Sequence, residues 1–143
     1  MEKPENEQPV LETEFWQANL GFNQYNLGRC YVNLKRNCSS LSELTEKEML
    51  DLLIVIKKLE TSIKKAFNAT MFNWTYLMNN SYKLKFPNPH VHFHLIPRYK
   101  EKVEFEKVIF EDKEFASNYA REGRLELSEE TRQKIIEKIQ ENF

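Results

Sequence analysis

Apolar positions recur along this chain with two different periods. Met49, Leu52, Leu53, Ile56, Leu59, Ile63 and Phe67 follow helical spacing. Just ahead of them Thr45 and Glu48 form a T-x-x-E pair, in which hydroxyl and carboxylate satisfy the first-turn N–H groups reciprocally. The pattern predicts one long amphipathic helix over residues 46–67, stopped at Asn68, with Lys57, Lys58, Lys64 and Lys65 on a solvated face. A period of two appears elsewhere. An aromatic-rich segment at 14–20 and the stretch 29–34, separated by a turn with two glycines, predict a pair of strands. Residues 70–78 alternate with Phe72, Trp74, Tyr76 and Met78 on one side, predominantly a core face, and residues 90–96 alternate again. A short strand is expected within 103–110, and Ser128 opens a final helix to about residue 140 with Ile135, Ile136 and Ile139 on one face.

Strands and helices in this order, without regular βαβ alternation, predict an α+β fold with a largely antiparallel sheet. The chain has 143 residues, room for one domain, here assigned to 10–143. The first nine residues carry two prolines and three glutamates and are expected to be a flexible tail. They contain no apolar leader segment, so a cytoplasmic protein with no membrane association is expected. Twenty-one Lys and Arg face 22 Asp and Glu. Such a balance argues against tracking of a nucleic-acid backbone and leaves a small anionic ligand as the natural partner. Cys30 and Cys38 have no metal-ligand spacing and read as reduced, packed thiols.

All three histidines fall within five residues, as His90, His92 and His94. Random scatter gives such an alternating row in roughly 3 of 10,000 placements. On a strand the three share one face, while Val91, Phe93 and Leu95 turn to the other. Two chemistries suit the row. Imidazoles bind metals, but the outer pair starts about 13 Å apart at Cα while two nitrogens on one zinc sit only about 3.4 Å apart. Asp112, Glu101 and Cys30 are the remaining candidate ligands, and nothing in their spacing recommends them. The other chemistry is nucleophilic attack on phosphorus by a neutral imidazole, which calls for no metal or cofactor. His92 is best placed for it, with one histidine to orient it and another to hydrogen-bond phosphate or leaving group. The polar, proline-bearing segment 79–89 leads directly into the row, and long connections of this kind are disproportionately functional.

His90-Val91-His92-Phe93-His94-Leu95-Ile96, followed by Pro97-Arg98, resembles the signature of the histidine triad family. Gly28 through Leu34 with Lys35-Arg36, and Leu41 through Glu48, are similar to two further stretches of that family. The resemblance covers about residues 25–99 and is nearest to a bacterial and archaeal branch of small members. It implies about five antiparallel strands with one long helix, usually in a homodimer. It also implies hydrolysis or transfer of nucleotides, from nucleoside phosphoramidates or dinucleoside polyphosphates. By resemblance His92 is the nucleophile, His94 bonds the phosphate and assists the leaving group, His90 supports His92, and Asn79 binds the phosphate. The stretch before the row departs from the family pattern: Lys85-Phe86-Pro87-Asn88-Pro89 has no glycine, glutamine or hydroxyl. Two prolines supply no N–H, so Asn88, with Lys83 or Lys85, becomes the candidate replacement donor. Lys35 and Arg98 are further substrate-binding candidates, Arg98 alternatively pairing with a surface carboxylate. Asn37 stands where many members have another histidine, and Asn19 or Asn23 would have to serve the ribose. Two other readings remain, a non-catalytic nucleotide-binding protein on the same fold and a histidine-rich metal-binding protein.

Overall fold

The computed structural model describes residues 4–118 and 123–143. Its elements are β1 (Leu11–Glu12), β2 (Trp16–Leu20), β3 (Cys30–Leu34), α1 (Glu46–Phe67), β4 (Met71–Thr75), β5 (His92–Arg98), β6 (Val103–Phe105), β7 (Val108–Phe110) and α2 (Glu129–Gln140). A five-stranded antiparallel sheet in the order β1-β2-β3-β5-β4 forms the centre, and β6 and β7 make a separate hairpin. This is the expected α+β architecture.

Alternation gives the sheet two unlike faces. Trp16, Ala18, Leu20, Cys30, Val32, Leu34 and Leu95 are buried against α1 and α2. On the other face Gln17, Asn19, Tyr31, Asn33, His92 and His94 are only partly covered. Helix α1 begins where its capping box predicts, with Thr45 and Glu48 each accepting the other's backbone N–H. It ends at Asn68, which takes the left-handed conformation (φ 62°). Glu48 also holds Arg36 through its guanidinium, fixing the end of β3 to the start of α1, and Arg36 holds that carboxyl below the usual glutamate range.

Three expectations change. Met49 and Leu53 are 49% and 46% exposed, and Val55 takes the buried position instead. Leu50 and Ile54 lie open beside them, so α1 carries a second apolar face. The strand expected over 90–96 starts at His92, because β3 ends at Leu34 and leaves His90 no ladder partner. The supposed tail is tied down at Glu7, whose carboxylate pairs with Arg132 of α2, both nearly fully buried. Arg132 also donates to the carbonyls of Leu20, Gly21 and Phe22, so a buried guanidinium recruits the segment that has no core of its own. Residues 1–3 lie outside the described ones. No helix among the described residues is long and apolar enough to cross a membrane.

Candidate active site

The sheet register assembles the site. His94 lies opposite Tyr31 of β3 and Thr75 of β4, and His92 lies opposite Asn33. Strand β5 is internal, so His94 has ladder neighbours on both sides, whereas β4 ends opposite it and His92 pairs with β3 alone. Val91, behind the row, is fully buried and anchors it. A cavity of about 410 Å³ contains all three histidines together with Tyr31, Leu77, Met78, Asn79, Asn80, Ser81 and Asn88.

Two backbone carbonyls set the imidazole tautomers. The His92 Nδ1 lies 2.7 Å from the His90 carbonyl oxygen. That oxygen can only accept, so Nδ1 carries a proton, and in the neutral ring the lone pair is therefore on Nε2. In the same way His90 Nε2 donates to the Leu34 carbonyl at 2.7 Å, which fixes the ring beside the row. The His92 and His94 rings stand 5.2 Å apart, and Tyr31 meets His94 edge-on at 4.9 Å. Burial, Arg29 and His92 together lower the His94 pKa from 6.5 to about 4, so His94 is neutral at pH 7.

The structure separates the residues singled out from sequence. Asn79 and Asn88 share the cavity with the triad. Lys35 does not: it pairs with Glu12 at 2.8 Å and borders a second cavity of about 510 Å³ that meets the first across Asn88 and His90. Arg98 is 1% exposed and bound to Asp112, so it has no free donor for a substrate. Lys83 and Lys85 lie outside the triad cavity on the exposed part of the loop. Tyr99 is a core residue whose hydroxyl donates to the Leu27 carbonyl. Phe72 and Trp74 pack against the core, and the Trp74 indole N–H donates to Glu60.

Sequence reasoning missed Tyr31, Arg29 and Thr75. Tyr31 and Thr75 reach the site through the pairing of β5 with β3 and β4, which no local pattern announces, and Arg29 stands just before β3. Arg29 lies with its guanidinium 5.8 Å from the Tyr31 ring centre. Its Nε and the Thr75 hydroxyl are buried without a hydrogen-bond partner. Charge does leave a sequence signal: no acidic residue occurs between Glu60 and Glu101, whereas Lys64, Lys65, Lys83, Lys85, Arg98 and Lys100 do. The site-bearing half is therefore locally positive inside a nearly neutral chain, which favours an anionic ligand. Among the described residues no group of three His, Cys, Asp or Glu side chains could hold a metal ion.

Known proteins resemble this chain in sequence and fold. A family model described as HIT domain matches residues 19–101, more than half of the chain. A curated relative, the nitrilase and fragile histidine triad fusion protein NitFhit of Caenorhabditis elegans, is 35% identical over 71 residues. The match takes in 50% of this chain but only 16% of that protein. A histidine triad protein of Sinorhizobium meliloti superposes with a TM-score of 0.71 at 19% identity, over 94% of this chain and 88% of the other. A hypothetical histidine triad nucleotide-binding protein of Sulfolobus tokodaii gives 0.68 at 21% identity, over 94% and 81%. At these identities the structural matches establish the fold.

Proposed function

The chain belongs to the histidine triad (HIT) family, and on that premise we propose that it is a nucleotidyl hydrolase or transferase acting through His92 on a nucleoside phosphoramidate or dinucleoside polyphosphate. The observation that carries this reading is the Nδ1 hydrogen bond of His92, which makes Nε2 the nucleophilic nitrogen of the neutral ring, in a cavity with Asn79, Asn88 and His94. The Nε2 lone pair forms a bond to phosphorus, the P–O or P–N bond to the leaving group breaks, and its electron pair departs with that group. The resulting nucleotidyl-imidazolium keeps its Nδ1–H on the His90 carbonyl, which stabilises the positive ring. Water then attacks phosphorus, the P–N bond to His92 breaks with its electron pair returning to Nε2, the nucleoside monophosphate leaves, and one proton of the water passes to solvent. Neutral His94 is a hydrogen-bonding partner for the phosphate rather than a resting proton donor. A polyphosphate leaves as an anion and needs no proton; an amine takes its proton from solvent or the bound phosphate.

One observation favours the non-catalytic alternative. Pro87 and Pro89 have no N–H, and the Asn88 N–H is engaged by the Ser81 hydroxyl at 2.8 Å, so the loop before the triad offers few backbone donors. Intact-mass spectrometry of wild type and His92→Ala, with adenosine phosphoramidate or diadenosine tetraphosphate and EDTA, decides between them. A nucleoside-monophosphate adduct or turnover in wild type alone supports the enzyme. Binding without either supports the nucleotide-binding protein, and abolition of turnover by EDTA would favour the metal reading.

The homodimer reading is supported by Met49, Leu50, Leu53 and Ile54, an open apolar face on α1. A light-scattering mass of one chain would sink it. Free, buried thiols at Cys30 and Cys38 support a reducing, cytoplasmic location.

A further inference from the structure

The loop that closes the triad cavity carries a surface with no partner inside the fold. Tyr82, Leu84 and Phe86 are 65%, 61% and 79% exposed, and Lys83 and Lys85 alternate with them. No carboxylate among the described residues pairs with either lysine, and the Lys85 ammonium lies 5.5 Å from the Phe86 ring centre. Three large exposed apolar side chains within five residues ask for an occupant. The loop is also held in shape before any ligand arrives. The N–H groups of Tyr82, Lys83 and Leu84 donate to the carbonyls of Asn79, Asn80 and Ser81, and Asn88 closes the turn on the Ser81 hydroxyl. Pro87 and Pro89 stiffen its return.

Geometry relates this surface to the reaction. His92 belongs to the strand wall of the cavity, whereas Asn79, Ser81 and Asn88 belong to the loop wall. Attack on phosphorus places nucleophile and leaving group in line on opposite sides. A group expelled from phosphorus by His92 therefore leaves on the side away from β5, and the loop is the cavity element outside the sheet. We propose that residues 82–86 form the leaving-group subsite just outside the triad cavity, with Lys83 and Lys85 binding leaving-group phosphates that extend out of it and Phe86, with Tyr82, stacking on an aromatic ring at the far end. Alternating cation and aromatic is the combination that holds phosphate and base together elsewhere. The inference rests on nucleotidyl transfer at His92 and selects, within that reading, a leaving group that is anionic near phosphorus and aromatic beyond it.

The test measures two affinities in each protein, those of adenosine 5′-monophosphate and of a methylene-bridged, non-hydrolysable diadenosine tetraphosphate, by calorimetry. In wild type the dinucleotide is expected to bind at least about tenfold tighter. In K83A/K85A and in F86A that ratio is expected to fall toward one. A ratio near one in wild type, or an equal loss for both ligands in the variants, overturns the subsite. Turnover is followed in parallel with diadenosine tetraphosphate and with adenosine phosphoramidate, which releases only ammonia. The variants are expected to lose kcat/KM preferentially for the dinucleotide. A wild type that binds both ligands and cleaves neither substrate overturns nucleotidyl transfer, while the affinity ratio still reports on the loop by itself.

Discussion

One face of β5 carries two polar clusters, at its two ends, that use their hydrogen-bonding capacity in opposite ways. His92 and His94 are half-buried, and His92 commits one ring nitrogen and keeps the other. Arg98, on the same face, donates to both Asp112 oxygens, to the Asn73 side chain and to the carbonyls of Glu114 and Ser117. A guanidinium has five N–H donors, and those bonds employ them all. The saturated end pins residues 112–117 to the sheet, and the unsaturated end, beside the unpartnered Thr75 hydroxyl, has capacity left for a ligand. A polar side chain's role follows from what remains unsatisfied around it, and residue type alone does not decide it.

The strongest way to break this contrast is to remove the free nitrogen. His92→Ala is expected to lower turnover by about a thousandfold or more while the protein still binds nucleotide, as read by single-turnover kinetics and calorimetry. An unaffected rate would assign the chemistry to another residue. At the saturated end Arg98→Met is expected to cost about 3–5 kcal/mol of stability, since it leaves Asp112 buried and unpaired. Denaturant titration measures it. The folded variant is expected to retain kcat/KM within about threefold, and a large loss of rate without loss of stability would make Arg98 a functional residue after all. Asn79→Ala should weaken catalysis by about tenfold, the effect of one lost neutral phosphate donor, with little change in stability.

A further effect concerns the pH dependence of stability, through His94. Its pKa is lowered from 6.5 to about 4 on folding, so between those values the unfolded chain binds more protons than the native one. Its contribution to stability is complete above pH 6.5, declines as pH falls toward 4 and is level below. His94→Gln is expected to flatten that part of the stability curve in urea titrations at several pH values. A slope unchanged in the variant would mean that other groups produce it.

Local chemistry was legible wherever a short segment contained its own reason. The capping box at Thr45 and Glu48, the left-handed stop at Asn68 and the Ser128 cap all act over a few residues, and the helices begin and end at them. The histidine row was legible because a strand has period two. Met49 and Leu53 misled because helical spacing defines an apolar stripe without saying how much of it the core covers. The partners of Arg98 and Lys35 were not legible, because each lies outside its own segment, at Asp112 for one and Glu12 for the other.

The sequence by itself determined the α+β pattern, the long helix, the alternating histidines and the family to which they belong, all properties of spacing within a segment. Tertiary structure alone decided that Tyr31 and Thr75 flank His94, that Glu7 is buried on Arg132, and that Arg98 is a clamp on Asp112. Those facts depend on which strands pair, in what register, and on which distant segments pack together. A pairing energy is shared between segments dozens of residues apart, so neither partner's local pattern contains it.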